Sequence, residues 1–87
     1  MYSIEFLDDA RREMGKLDKS VALRLRRKLE WLAQNVESAQ TIWLRGDLAG
    51  LARIREGDFR IIYEPRDADK VIVIHFIGHR SEVYKRG

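Results

Sequence analysis

Eighty-seven residues, of which 45 % are hydrophobic and 36 % charged, with a single proline, predict one folded domain with one modest core. A chain of this size buries only roughly 60–65 % of its unfolded surface, which leaves no room for a separate regulatory or substrate domain. The absence of cysteine excludes a disulfide scaffold, a thiolate zinc site and a cysteine nucleophile, and the net charge of +3 rests on 17 basic residues of which 12 are arginine, the side chain whose planar fork suits phosphate and carboxylate.

Tyr2, Ile4 and Phe6 alternate with Ser3 and Glu5, the period of a half-buried strand. From Asp8 or Asp9 the spacing changes to Ala10, Met14, Leu17, with acidic residues first and Lys16 near the end, which predicts a first helix weakened by Gly15. Asp18 is placed to cap a second helix whose stripe is Val21, Leu25, Leu29, Leu32 and Val36, with Arg24, Arg26, Arg27 and Lys28 mainly on its other side. That basic run is more often the solvated face of an amphipathic helix than a grip on ribosomal RNA phosphates.

Ser38 to Thr41 form a polar connection to Ile42-Trp43-Leu44-Arg45-Gly46, with Trp43 expected under the turn. Three strands follow, about residues 50–56, 59–64 and 70–77, joined by a tight Glu56-Gly57-Asp58 turn and by Pro65-Arg66-Asp67-Ala68-Asp69. The fold class is α+β: an N-terminal strand and a two-helix hairpin packed on a curved antiparallel sheet. Strict alternation divides the last strand into Val71, Val73, His75, Ile77 and Ile72, Ile74, Phe76, Gly78, both apolar, as a central strand requires. Its longest apolar run is far short of the ~20 residues that span a bilayer, and the N-terminus has no signal pattern, so neither membrane insertion nor secretion is expected and the cytoplasm is the expected compartment.

Arg53 and Arg55, two apart, share one strand face, and Arg60 joins them if the register places it there. Adjacent guanidinium groups repel unless an anion sits between them. Beyond the last strand, Gly78 releases the chain into His79-Arg80-Ser81-Glu82-Val83-Tyr84, where Arg80 and Tyr84 are positioned to add a guanidinium and a phenol. Such a cluster suits binding a phosphodiester, neutralising its transition-state charge and stacking a base. The opposing description is a solvated basic edge. His75 has no second histidine at a metal spacing and reads as a sheet residue.

The ordered set Leu44-Arg45-Gly46, Arg53-Ile54-Arg55, Gly57-Asp58-Phe59-Arg60 and His79-Arg80 followed by Tyr84 resembles the RelE/ParE superfamily of bacterial toxins, on the RelE side, over essentially the whole chain. The resemblance implies a ribosome-dependent messenger RNA endonuclease held inactive by a cognate antitoxin in a hetero-oligomer. It implies attack of the ribose 2′-hydroxyl on the adjacent phosphate, with no cofactor and no metal. It assigns Arg45 and Arg53 to RNA binding, Arg55 to the reacting centre, Arg60 to transition-state charge, Arg80 to the leaving group, and Tyr84 to orienting a base or the nucleophile. Some members carry lysine where this chain has Arg53 and Arg55. Arginine stays protonated, so charge stabilisation survives that exchange while proton transfer passes to another group. His79 is the candidate proton carrier, with Glu56 or Glu82 as alternatives. Two other outcomes are a ParE-like inhibitor of DNA gyrase and an inactive relative that only binds its antitoxin.

Overall fold

The computed structural model describes residues 1–82. Strand β1 spans Ser3–Phe6, helices α1 and α2 span Asp8–Gly15 and Lys19–Asn35, and strands β2 to β5 span Ile42–Trp43, Ala52–Glu56, Phe59–Arg66 and Val71–His79. A short 3-10 turn, Gly46–Leu48, links β2 to β3. One five-stranded sheet carries all the strands in the order β1-β5-β4-β3-β2.

The helices form where the periodicity places them. In α2, Leu25, Leu29, Leu32 and Ala33 are buried and Val21 and Val36 pack at the margin of the same core, so a single 3.6-residue stripe faces the sheet. Helix α1 stops at Gly15, having buried Ala10 and Met14. Asp18 takes the N-cap position of α2, but its side chain makes no capping bond. The Ala22 amide donates to the Asp18 backbone carbonyl at 2.8 Å, the first bond of the helical ladder. Against these helices lie Ala52, Ile61, Tyr63, Ile72, Ile74 and Ile77. None of the largest core chains, Leu25, Leu32, Ile61, Ile72, Ile74 and Ile77, exposes as much as 2 % of its surface, so truncating one of them to alanine costs about 2–5 kcal/mol.

The α+β class is as expected, and three details are corrected. The sheet is mixed, because β1 pairs in parallel with β5, Ser3 opposite Val71 through Phe6 opposite Ile74, whereas β2 to β5 are antiparallel. Short turns dictate antiparallel neighbours, but β1 meets β5 across the whole chain and no turn constrains its direction. Strict alternation also fails in β5. Ile62 pairs with Phe76 and Tyr63 with Ile74, so His75 is an extra residue. Past this bulge Ile77 joins Ile72 and Ile74 on the helix side, and Phe76 and Gly78 move to the other face. Trp43, expected under the turn, is 56 % exposed.

Candidate functional site

The two-residue turn Gly57-Asp58 fixes the register of β3 on β4. Gly57 occupies its first central position with φ 59°, a conformation glycine adopts without steric cost. Glu56 therefore pairs with Phe59, Arg55 with Arg60, and Arg53 with Ile62. Cross-strand partners share a face, so Arg53, Arg55 and Arg60 all lie on the side of the sheet away from the helices, and Arg55 and Arg60 stand directly opposite one another.

The two members of that pair differ in setting. Arg60 is only 8 % exposed, and its Nη1 donates to the carbonyls of Gly57 at 3.0 Å and Phe59 at 3.1 Å. Its guanidinium is thus folded back onto the hairpin and held there, a fixed cation at one end of the sheet. Its neighbour on β5 is Gly78, which has no Cβ on that face to crowd it. Arg55 is exposed. Like charges directly opposite disfavour the sheet, and an anion between them removes that cost.

Arg80 reaches the same end. Its amide donates to the Asp58 carbonyl at 2.8 Å, tying the chain beyond β5 to the tip of the hairpin and leaving the side chain exposed. The register does not bring His79 to the arginines. It pairs with Phe59, on the helix side, and its ring meets the Phe59 ring edge-on at 6.0 Å. The Ser81 amide donates to its Nδ1 at 3.2 Å and the Ser81 hydroxyl lies 2.9 Å from the same atom, so Nδ1 is the acceptor and the neutral ring carries its proton on Nε2. Arg45 is exposed at the start of the 3-10 turn, beyond the Leu44–Leu51 bond; Leu51 is four residues, ~13 Å of strand, from Arg55. It therefore sits at the opposite end of β3. Glu56 shares the helix-side face with Phe59, and Glu82 is exposed, its amide bonded to the His79 carbonyl at 2.9 Å. Tyr84 lies outside the described residues.

A polar group not anticipated from the sequence occupies the arginine face further along β4. Glu64 Oε1 accepts from His75 Nε2 at 3.2 Å, and its Oε2 pairs with Arg66 Nε at 3.3 Å. The His75 hydrogen bond first, and Arg66 second, hold the Glu64 carboxyl below its ordinary value. The signal for it was the bulge, which β5's apolar sequence conceals. At the other side of the sheet, Tyr2 donates to Asp67 Oδ1 at 2.8 Å, and this bond, followed by burial, raises the phenol above its usual value. Burial likewise raises Tyr63. Among the described residues no group of three or more His, Asp or Glu side chains is arranged to hold a metal ion, and no helix is long and apolar enough to cross a membrane.

A pair of facing guanidiniums, one rigid and one solvent-accessible, with a third on the adjoining loop, can take up a phosphodiester and neutralise the charge it gains on becoming pentacoordinate. The chain is similar to known proteins in both sequence and fold. The family model described as "ParE toxin of type II toxin-antitoxin system, parDE" matches residues 4–84. A RelE-like toxin protein of Escherichia coli is 33 % identical over 89 residues, covering 95 % of this chain and 90 % of that protein. Toxin RelG of Mycobacterium tuberculosis is 28 % identical over 88 residues and covers 98 % of both. Among solved structures, a chain of the RelBE2 toxin-antitoxin complex of Mycobacterium tuberculosis superposes with a TM-score of 0.80 at 28 % identity, over 91 % of this chain and 98 % of that one. The isolated RelE toxin of Escherichia coli gives 0.77 at 27 % identity, over 98 % and 93 %. With its mixed sheet, helical hairpin and arginine-bearing hairpin, the chain belongs to the RelE/ParE family of toxins of type II toxin-antitoxin systems.

Proposed function

We propose that this toxin cleaves messenger RNA in the ribosomal A site and that a cognate antitoxin, bound in a hetero-oligomer, keeps it inactive. The observation that carries the reading is the direct opposition of Arg55 and Arg60 on the helix-free face, with Arg80 tethered at the same end. In the reaction, the ribose 2′-oxygen bonds to phosphorus and the bond from phosphorus to the 5′-oxygen breaks. The 2′-hydroxyl proton passes to solvent water, the leaving 5′-oxygen takes a proton from water, and the products are a 2′,3′-cyclic phosphate and a 5′-hydroxyl. The phosphodiester carries one negative charge before attack and two at the pentacoordinate stage, so fixed cations bind the transition state more strongly than the substrate. Arg60 is already desolvated and oriented, and so is reorganised little during the step. Arg55 supplies the mobile partner, Arg80 the charge at the leaving oxygen, and Arg53 holds RNA phosphate further along β3. Arg45, at the far end of the strand, contacts RNA outside the reacting group, and Tyr84 orients the nucleotide. The packing of His79 on Phe59 on the helix side supports a role for it outside the reacting group.

Support for the antitoxin comes from the relatives solved as toxin-antitoxin complexes, including RelBE2. A second reading, a gyrase inhibitor, is favoured by the match to the ParE family model. Expressing the toxin without its antitoxin, mapping the 5′ ends of cellular messages and scoring the DNA-damage response separates them. Codon-phased 5′-hydroxyl ends that disappear in Arg55→Ala and Arg60→Ala support cleavage. DNA damage without new ends assigns the chain to the gyrase class, and no growth effect identifies an inactive antitoxin-binding relative.

A further inference from the structure

Strand β2 pairs with β3 only through Ile42–Arg53 and Trp43–Ala52, so among the described residues Ile54 to Glu56 have no strand partner on that side. Helix α2 runs alongside this open edge. A groove of about 290 Å³ straddles it, with Arg53 and Arg55 on one bank, Lys28 and Trp31 on the other, and Ile42 at its end. A second depression of about 340 Å³ continues along α2 between Arg24, Arg27 and Glu56, and Lys28 and Trp31 line both. The helix reaches the hairpin itself, because Arg24 Nη1 lies 4.0 Å from where a Cβ on Gly57 would stand.

Trp31 is 45 % exposed although Leu32, the next residue, is fully buried. One step along a helix turns a side chain by ~100°, which puts the indole outside the core stripe, so packing does not account for an aromatic there. Lys28 Nζ stands 4.9 Å from its ring centroid. The two depressions that share Trp31 are lined by five cations, Arg24, Arg27, Lys28, Arg53 and Arg55, against the single carboxylate of Glu56. An apolar partner seated here would have to desolvate those cations without compensation. A single-stranded nucleic acid supplies both complements, phosphates for the cations and a base for the indole.

We propose that the α2 side of the β3 edge is a second RNA-binding surface, on which a single strand leaves the arginine face, crosses the free edge and stacks a base on Trp31. The proposal shares the substrate class of the endonuclease reading but none of its chemistry, so the two fail separately.

The test uses Trp43→Phe, which leaves Trp31 as the sole tryptophan, and a short single-stranded RNA 2′-O-methylated throughout so that it cannot be cut. Saturable quenching of Trp31 emission is expected. Trp31→Ala, followed by a labelled oligonucleotide, should bind about tenfold more weakly, the loss of one base–aromatic stack. Arg27→Gln with Lys28→Gln should lower the log–log salt slope of binding by ~1.4, the single-strand value for two phosphate contacts. Unchanged circular dichroism and melting show that the variants fold. Unquenched Trp31, or RNA affinity indifferent to Trp31→Ala, overturns the proposal, as does protection of Trp31 by the antitoxin alone, which would make this a protein interface. Quenching of Trp31 here, with no codon-phased ends in the expression experiment above, keeps this surface and removes the endonuclease reading; codon-phased ends there with unquenched Trp31 here do the reverse.

Discussion

Replacing Arg55 with glutamine should make the toxin more stable and less active. Arg55 and Arg60 are a directly opposed like-charge pair, and such pairs cost a sheet about 0.2–1 kcal/mol. In a domain of this size 1 kcal/mol moves Tm by roughly 4–8 °C, so relief of the repulsion raises Tm by about 1–8 °C at low salt. Arg55→Glu, which converts repulsion into attraction, should sit higher still. The source of the gain is electrostatic. Raising the ionic strength from about 0.1 M to 1 M shortens the screening length from ~10 Å to ~3 Å and should bring the three proteins together. Activity should run the other way. Loss of one donor to a developing oxyanion costs ~10²–10³-fold in rate, and Arg55→Gln should lose cleavage in a ribosome-programmed assay on that scale. The assay pair is calorimetry across a salt series and single-turnover cleavage of a defined message. If Arg55→Gln lowers Tm and activity together, or its Tm advantage is indifferent to salt, Arg55 supports the hairpin and the opposed pair is not a site held ready for an anion.

Arg60→Met should be destabilised by about 1–3 kcal/mol, since hydrogen bonds from charged donors are worth roughly 1.5–3 kcal/mol and relief of repulsion offsets part of their loss; urea melts measure it, and an unchanged midpoint would mean the bonds to Gly57 and Phe59 carry no net weight. His79→Ala should keep cleavage well above the ~10²–10⁴-fold loss expected of a general acid or base, because its ring lies on the helix side; a loss of that size would return it to the reacting group. For Glu64, whose carboxyl is depressed in the folded state, the linked stability is present above the ordinary carboxyl value of 4.5 and is lost as pH falls through the depressed one. The Tm gap between wild type and Glu64→Gln should therefore hold flat above about pH 5.5 and close in acid, and a gap indifferent to acid would show that the carboxyl is not perturbed.

What the sequence revealed depended on how far apart the interacting residues lie. The α2 stripe repeats within one turn of helix, and the β3–β4 hairpin is announced by Gly57-Asp58, so both were legible. The facing of Arg55 and Arg60 was also implicit there: a two-residue turn pairs its flanks, Glu56 with Phe59, and the next pair out follows. The direction of β1 was not legible, because Ser3 and Val71 meet only in the finished sheet. Nor was the bulge. Residues Val71 to Ile77 are apolar at nearly every position, so no local contrast marks where alternation slips.

That slip is nevertheless what completes the arginine site. Continued alternation from the Tyr63–Ile74 pair would set His75 against Ile62, Phe76 against Ile61 and Ile77 against Arg60. Arg60 would then face a branched side chain, Ile77 would leave the core, and the Phe76 ring would take its place there. With His75 as the extra residue, Ile77 packs behind Ile61 and Gly78 comes opposite Arg60, and the guanidinium has room to fold back onto the Gly57 and Phe59 carbonyls. His75 bonds Glu64, so the inserted residue has a polar partner on the arginine face, where a bulge would otherwise leave an imidazole unpaired beside buried Ile62 and Val73. One register shift in β5 thus serves both sides of the sheet: it keeps the helix-side core continuous through Ile77 and sets the fixed cation of the proposed phosphodiester site.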